Sequence, residues 1–347
     1  MAINYLTTGE EKANIPEVLF AVSPEANLTG IAALRARSEV LEAKRAVQYF
    51  ELPSRSLLNR CKPGMPFAWS LNPYRGCEFA CRYCYARYTH EFMELRESED
   101  FEDKIYAKSE IAANLRRELR RFPGGGIAIG TATDPYQPAE RRYGRTRAAL
   151  EVFAAHRGLE ISITTKSDLV TRDIALLKEV AKRNSIAVNM TITTLDASLA
   201  RLLEPRAPRP DLRLRAVKAL ADGGIPVGVF PSPIMPLITD QEPRLDRLAK
   251  AAKDHGAEWF GGGVLFLQPS ARRVFLPFVA EHFPALLQRY EQRFEKDAYL
   301  RGSYVDALRA KLNTIRDRYG LRAAPPRQDW APEPPAQASL FQLIPLS

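Results

Sequence analysis

Six short β-rich runs alternate with amphipathic helical segments between residues 66 and 268, and this alternation limits the fold more than any other feature. The runs are FAWSLN (67–72), GIAIGTAT (126–133), LEISITTK (159–166), IAVNMTIT (186–193), PVGVFPSP (226–233) and EWFGGGVLFL (258–267). The predicted helices between them are about 104–121, 141–157, 169–183, 208–222 and 240–254. Repeated strand–helix units favour a parallel sheet, either closed into a full or partial barrel or open and doubly wound. In both forms, ligands bind at the carboxyl ends of the strands.

The segments on either side of this repeat have a different character. Residues 1–65 show little apolar periodicity and are predicted to form a basic N-terminal extension around a barrel of residues 66–270. Residues 271–320 have apolar side chains at spacings of three and four and are predicted to be helical. Residues 321–347 contain six prolines, so we expect a flexible tail.

The balance of charge bears on the partners of the chain. It has 50 lysines and arginines against 41 acidic residues, a net charge of +9, with arginine clusters at 115–121, 141–147 and 201–215. This balance favours an anionic partner such as nucleic acid, although solvated helix faces explain it equally well. The N-terminus has no signal-peptide pattern, and the most apolar stretch is broken by four prolines. We therefore expect a cytoplasmic protein without membrane contact.

Three of the four cysteines lie within eight residues, in NPYRGCEFACRYCYARY. Cys77, Cys81 and Cys84 have the spacing C-x3-C-x2-C, which suits a tetrahedral zinc or an iron–sulfur cluster. Zinc would need a fourth ligand, and Cys61 and His90 are the candidates. A 4Fe–4S cluster held by three cysteines leaves one iron open to a substrate or cofactor, so it needs no fourth cysteine.

The cysteine motif, with Tyr83 before its last cysteine, resembles the signature of the radical S-adenosylmethionine (SAM) enzymes. The stretches GTATDPYQPAE, ITTKSD, TITTLD and LEPRAPRP, in this order, narrow the resemblance to the spore photoproduct lyase-like group, often labelled DNA repair photolyases. It covers the chain from about residue 55 to 320. It implies an α/β fold, a partial (β/α)6 barrel of the radical SAM type. It also implies a 4Fe–4S cluster at which SAM is cleaved to methionine and a 5′-deoxyadenosyl radical.

The resemblance also implies roles for single residues at the cofactors. The three cysteines of the motif would bind the cluster, with SAM on the open iron. Tyr83 would lie near the adenine of SAM, and Lys166 would pair with its carboxylate, because an ammonium at a strand end suits an anion. Thr133 and Asp134 would bind the SAM amino group. Asp134 could equally be a turn residue before Pro135, and Lys166 could be a surface lysine in a loop.

Four further residues are expected near SAM. Thr191 stands where the lyase has a serine that contacts SAM, and Thr193 points to the same face two residues on. Glu204 and Arg206 would either anchor the site or form a structural ion pair.

The sequence departs from the lyase at the residue that donates a hydrogen atom to the product radical. The lyase uses a cysteine three residues before the aspartate, and here that position is Thr131, whose O–H bond is too strong to replace a thiol. The spore reaction itself is therefore doubtful for this chain. Tyr85 and Cys61 are the remaining candidates for a hydrogen donor or radical relay. Cys61 could also be a bystander in the basic extension.

The C-terminal tail suggests one macromolecular partner. QASLF, Gln337 to Phe341, resembles the pentapeptide with which bacterial repair proteins dock on the DNA sliding clamp, with Ala338 in place of the preferred leucine. Leu340 and Phe341 would fill an apolar pocket, and the linker would supply reach. Alternatively, these two side chains pack back on the core.

Together these features predict a radical SAM enzyme that repairs or modifies a nucleic-acid base, with DNA favoured. Such an enzyme needs a reducing partner, such as flavodoxin or ferredoxin. One alternative is a radical SAM enzyme acting on RNA, a peptide or a small metabolite. Another is a zinc-stabilised nucleic-acid-binding module without catalytic activity.

Overall fold

A computed structural model describes residues 28–44, 47–95 and 97–326. The strands are β1 (Glu39–Lys44), β2 (Val47–Leu52), β3 (Leu58–Arg60), β4 (Trp69–Leu71), β5 (Tyr74–Arg75), β6 (Lys104–Lys108), β7 (Ile127–Ile129), β8 (Glu160–Thr165), β9 (Ser185–Thr191) and β10 (Val227–Phe230). The helices are α1 (Gly30–Ala36), α2 (Tyr88–Glu91), α3 (Asp100–Asp103), α4 (Ile111–Leu119), α5 (Glu140–Tyr143), α6 (Arg145–Ala154), α7 (Ile174–Ala181), α8 (Ala197–Leu203), α9 (Pro210–Asp222), α10 (Glu242–Asp254), α11 (Pro269–His282), α12 (Leu287–Arg293) and α13 (Ser303–Tyr319).

The main sheet has the strand order β10-β9-β8-β7-β4-β3. From β4 to β10 the neighbouring strands are parallel, and β3 is antiparallel to β4. All seven residues of β9 are buried, as expected for a parallel strand covered on both faces. This α/β architecture fits the predicted partial barrel.

The sixth predicted strand, 258–267, is not a continuous strand. It contributes isolated parallel bridges between Val229 and Phe260 and between Ile234 and Val264. Three consecutive glycines, 261–263, lie between the bridges, and glycine supplies no side chain to pack on a sheet. The strand prediction was therefore wrong in its extent.

A second sheet has the strand order β1-β2-β6-β5. Its strand β6 occupies the start of the segment 104–121, for which a helix was predicted. That prediction was wrong at its start, because residues 104–108 form β6 in parallel pairing with β2. Helix α4 begins only at Ile111, after Glu110 adopts a left-handed conformation with φ of 52°. The N-terminal extension supplies β1 and β2 to the second sheet and β3 to the main sheet. It therefore contributes strands to both sheets.

The C-terminal region folds over the barrel as separate helices. Helix α13 packs against α10 and buries Leu308, Leu312 and Ile315, three members of the predicted apolar stripe. Helix α11 joins the core beneath the cysteine motif, where Phe275 and Phe278 share one apolar cluster with Cys77 and Cys81. The sequence from Gln337 to Phe341 lies outside the described residues. Within the described ranges, no helix has the length and apolar character needed to cross a membrane.

Candidate active site

The cysteine motif forms a loop at the carboxyl end of β4, between β5 and α2. It enters through Gly76, whose φ of 79° lies in the left-handed region. The Cys77 amide N–H donates to the Phe101 carbonyl at 2.9 Å, and that of Cys84 donates to the Cys81 carbonyl at 3.2 Å. Cys77 and Cys81 are buried and Cys84 is half-buried. Sequence spacing and the loop thus bring the three thiols into one enclosed region.

Side chains from the stretch after β7 hold this loop. The Thr133 hydroxyl donates to the Gly76 carbonyl at 2.5 Å, and Gln137 Nε2 donates to the same carbonyl at 3.1 Å. Gln137 Oε1 accepts the Glu78 amide N–H at 3.0 Å. The expected SAM ligand Thr133 therefore braces the cysteine loop in this structure. Gln137 was missed by the sequence analysis, although it lies in the quoted TDPYQPAE stretch.

A buried ion pair stands behind Tyr83. Glu204 and Arg213 are each about 1% exposed, and the distance between Glu204 Oε2 and Arg213 Nη2 is 2.5 Å. The hydroxyls of Tyr83 and Thr193 both donate to Glu204 Oε1. Arg213 also donates to the Thr191 carbonyl at 3.1 Å. Burial alone would raise the pKa of Glu204, but Arg213 and Lys166 hold that pKa below its usual range.

Lys166 follows β8 and points toward the same network. Its Nζ lies 5.7 Å from the centre of the Tyr83 ring, within cation–π range. Burial alone would lower the pKa of Lys166, but Cys81 and Glu204 raise it above its usual value. The Glu204 carboxylate, whose own pKa is lowered, is the negative charge that favours the ammonium form of Lys166. Lys166 is half-buried beside Tyr83, whereas the second alternative for this residue expected a surface lysine in a loop.

Asp134 orders the strand end from which Lys166 projects. One carboxylate oxygen accepts the Thr165 hydroxyl at 2.7 Å and the Tyr136 amide at 2.9 Å, and the other accepts the Lys166 amide at 2.7 Å. This is the arrangement of a turn residue, the second alternative for Asp134. Burial raises the pKa of this carboxyl group, and the three hydrogen bonds lower it.

Tyr85 lies beside the position that holds a cysteine in the lyase. Its hydroxyl donates to the Thr131 carbonyl. Its ring centre is 4.8 Å from that of Phe266, which stacks on the half-exposed Tyr299 at 5.1 Å. Burial raises the pKa of Tyr85, so its hydroxyl stays protonated at neutral pH. The three rings connect the residue after Cys84 with the surface.

The structure does not bring Cys61 or the Arg206 side chain to this site, although the Arg206 amide N–H donates to the Phe79 carbonyl of the cysteine loop at 3.3 Å. Cys61 pairs with Ala68, ahead of β4, whereas the cysteine loop follows the other end of that strand. The Arg206 guanidinium pairs with Asp103 at 2.9 Å, and the Arg206 side chain is 42% exposed. Glu204 pairs with Arg213 instead, so the predicted Glu204–Arg206 ion pair was wrong.

Arg213 could have been found from helix periodicity. In α9 it lies on the buried face with Leu214 and Val217, at a position where an apolar residue is the rule. A charged residue at such a position almost always has a buried partner. Its partner could not be identified from the pattern alone, because Glu204 precedes the helix.

The family model of the radical SAM superfamily matches residues 71–249, which include the cysteine loop, Lys166 and the Glu204–Arg213 pair. The chain belongs to the radical SAM superfamily. An uncharacterized protein of Mycobacterium tuberculosis is 36% identical over 306 residues, covering 85% of this chain and 88% of that protein. An uncharacterized protein of Methanocaldococcus jannaschii is 29% identical over 273 residues, covering 78% and 95%.

Solved structures of spore photoproduct lyase share the fold of this radical SAM enzyme. A cysteine-to-alanine mutant with a dinucleoside spore photoproduct aligns with a TM-score of 0.56 at 16% sequence identity, covering 78% of this chain and 79% of that one. A second variant, with bound SAM and the dinucleoside, aligns with a TM-score of 0.54. The predicted superfamily and its lyase-like architecture are confirmed.

The donor set fits the 4Fe–4S cluster that the superfamily implies. Burial raises the pKa of all three thiols, that of Cys81 to about 12, so a cationic centre is needed to hold them as thiolates. His90, a candidate fourth ligand, instead contacts the Lys104 carbonyl and packs on Phe101. In the part of the chain that the structure describes, no group of Cys, His, Asp or Glu side chains is arranged around a single ion. The zinc-stabilised module does not fit the radical SAM family, to which the chain belongs.

Proposed function

We propose that this radical SAM enzyme repairs or modifies a base in nucleic acid, with DNA as the favoured substrate. The observation that carries the proposal is the fold shared with spore photoproduct lyase, whose structures contain a dinucleoside photoproduct. The net charge of +9 and the arginine clusters support a polyanionic substrate. A base inside a duplex is stacked, so the substrate would have to present it outside the stack.

The cofactor site would use the network around Tyr83. A cluster held by Cys77, Cys81 and Cys84 would supply the electron for the reductive cleavage of SAM. Lys166 would pair with the SAM carboxylate, because its ammonium lies beside Tyr83 at the carboxyl end of β8. Thr191 and Thr193 line the neighbouring strand end. The Glu204–Arg213 pair would act as a positioning element, since it fixes the hydroxyls of Tyr83 and Thr193.

Tyr85 would serve as hydrogen donor or radical relay at the substrate side. Its hydroxyl is directed at the Thr131 backbone, and its ring continues through Phe266 to Tyr299. Cys61 takes no part in the reaction in this proposal, because it lies at the amino end of β4, away from the cysteine loop. Flavodoxin or ferredoxin would supply the electron. Docking on a sliding clamp through Gln337–Phe341 is proposed from the sequence alone.

The proposal can be tested with anaerobically reconstituted protein under reducing conditions. SAM cleavage is measured alone, with undamaged and ultraviolet-damaged single-stranded DNA, with RNA and with an unrelated peptide. We expect DNA, and damaged DNA above all, to raise the rate of SAM cleavage and to be chemically altered. Stimulation by RNA or peptide but not by DNA would contradict the substrate assignment while leaving the radical SAM activity intact.

A further inference from the structure

A cavity of about 260 Å³ opens at the carboxyl edge of the main sheet, beside the site described above. Thr193 and Thr194, which follow β9, form one wall, and the first two turns of α10 form the other. The cysteine loop and Lys166 also follow the carboxyl ends of their strands. The cavity therefore lies at the same end of the parallel strands as these residues. Its volume is near the lower end of the roughly 300–1,000 Å³ usual for small-molecule sites.

The α10 wall combines an apolar floor with a basic rim. Leu245 and Leu248 are buried, while Arg244 and Arg247 are exposed, and all four line the cavity. The spacing of three residues places the two arginines on one face of the helix. Two guanidinium groups on one face can hold a phosphate by charge-assisted hydrogen bonds.

The other charged group at the cavity, Asp196, already makes hydrogen bonds within the protein. Asp196 Oδ1 accepts the amides of Ser198 and Leu199 at 3.0 Å each, as the N-cap of α8. Its Oδ2 lies 3.7 Å from Arg244, which is long for a charge-assisted hydrogen bond. Among the described residues Arg247 has no ion-pair partner.

Two hydroxyl groups add donors to the cavity. Thr194 Oγ1 accepts the Asp196 amide at 3.1 Å, and Thr239 Oγ1 accepts the Met235 amide at 2.8 Å. Because each oxygen already accepts a backbone N–H, its own proton is available to an acceptor in the cavity. The polar groups are thus mostly donors, as a phosphate requires.

We propose that this cavity is a phosphate-binding subsite in which Arg244 and Arg247 hold a backbone phosphodiester of the nucleic-acid substrate. The inference rests on the proposed function. Thr193 belongs both to the cavity and to the Tyr83–Glu204 network, so a phosphate held here lies next to the proposed cofactor site. The subsite would fix the strand relative to the reacting base.

The test measures binding of a short fluorescent single-stranded DNA to the reconstituted enzyme at a series of salt concentrations. For Arg247→Ala and Arg244→Ala we expect about tenfold weaker binding. The slope of log affinity against log salt should fall by about 0.7, the contribution of one phosphate contact in a single strand. Arg247→Lys should restore the slope, because it restores the charge. Lys250→Ala, an exposed lysine on the same helix that pairs with Asp254, should change neither quantity.

The outcomes separate this inference from the proposed function. If the wild type binds DNA and the arginine variants behave like Lys250→Ala, the subsite is refuted and the proposed function stands. If the wild type binds no nucleic acid, both are overturned. Inorganic phosphate and an acidic peptide are added as competitors. If either of them displaces the DNA at Arg247 as well as an unlabelled oligonucleotide does, the assignment to a backbone phosphodiester is wrong.

Discussion

Glu204 and Arg213 form a fully enclosed ion pair that also organises two hydroxyl groups of the candidate site. The desolvation of such a pair can cost as much as its attraction returns. Its presence is therefore better explained by positioning than by stability, since Tyr83 and Thr193 both depend on Glu204 Oε1. Removal of one partner still leaves an uncompensated buried charge.

Replacement of Arg213 by methionine should therefore lower the free energy of unfolding by about 3–5 kcal/mol. Urea denaturation under anaerobic conditions measures this loss. The matched control is Lys182→Met, whose partner Glu179 is exposed, with side chains 65% and 56% accessible. That pair should contribute at most about 1 kcal/mol. Equal losses in the two variants would contradict the structural role given to Arg213.

His90 is predicted to make stability depend on pH. Burial lowers its pKa from 6.5 to about 4, and its Nδ1 has no hydrogen-bond partner among the described residues. Between these values the unfolded chain binds a proton that the folded chain does not, so stability falls as the pH falls from 6.5 toward 4. The full loss from this group is about 3 kcal/mol.

His90→Phe keeps an aromatic ring against Phe101 and should flatten the pH dependence of the free energy of unfolding in this window. Urea midpoints at several pH values, for the variant and the wild type, provide the measurement. A slope in His90→Phe as steep as in the wild type would disprove the assignment.

Tyr85→Phe tests the hydroxyl group without removing the ring that packs on Phe266. We expect normal iron content and normal substrate-independent SAM cleavage, with most of the turnover on nucleic acid lost. Iron analysis, SAM cleavage and product formation are compared in one preparation. Full turnover in the variant would remove Tyr85 from the proposed hydrogen transfer.

At the scale of elements, the cysteine loop depends on contacts with segments that are distant in sequence. Gly76 passes so close to the strand and helix behind it that an added Cβ would lie 2.7 Å from the Lys104 carbonyl and 2.9 Å from the Phe101 carbonyl. Thr133 and Gln137 hold the same residue from the other side. Contacts within the protein therefore hold the loop at Gly76.

Gly76→Ala should lower both the melting temperature and the iron content of reconstituted protein. Gly64→Ala is the matched control, because Gly64 also has a positive φ, of 91°, but an added Cβ meets nothing within 4 Å. It should incur only the backbone cost of about 1 kcal/mol. The difference between the variants isolates the steric effect, and equal iron contents would argue against a steric role of Gly76 in shaping the loop.

At the scale of the whole molecule, the two ends of the parallel strands in the main sheet have different roles. The cysteine loop, Lys166 and the cavity beside α10 lie at the carboxyl ends of the strands. Cys61 pairs with Ala68 at the amino end of β4. The four cysteines of the chain are therefore divided between a candidate cofactor site and a structural turn.

Alanine substitution of Cys77, Cys81 or Cys84 should abolish iron binding and SAM cleavage, while Cys61→Ala should leave both at the wild-type level. Iron and sulfide analysis and the yield of cleaved SAM are the measurements. A loss of iron in Cys61→Ala, with the fold intact by circular dichroism, would contradict the placement of Cys61.

Local features of the chain were readable from the sequence alone. The cysteine spacing spans eight residues, and strands β7 to β10 follow from short apolar runs between helices. Lys166 and Asp134 were proposed as SAM-binding residues from the family resemblance, and their positions after β8 and β7 agree with the rule that ligands bind at the carboxyl ends of parallel strands. The cysteine spacing and the strands need only neighbouring residues, whereas the roles of single residues at SAM rest on the resemblance.

Only the tertiary structure decided which distant residues become partners. Residues 104–108 become a strand because β2 offers them backbone partners, which outweighs the helical pattern that follows. Glu204 pairs with Arg213 because α9 places Arg213 in the core. Arg206, which precedes α9, pairs with Asp103 instead. Cys61 is separated from the cluster thiols by the length of β4. Pairing across the fold depends on burial and packing, which a linear pattern does not record.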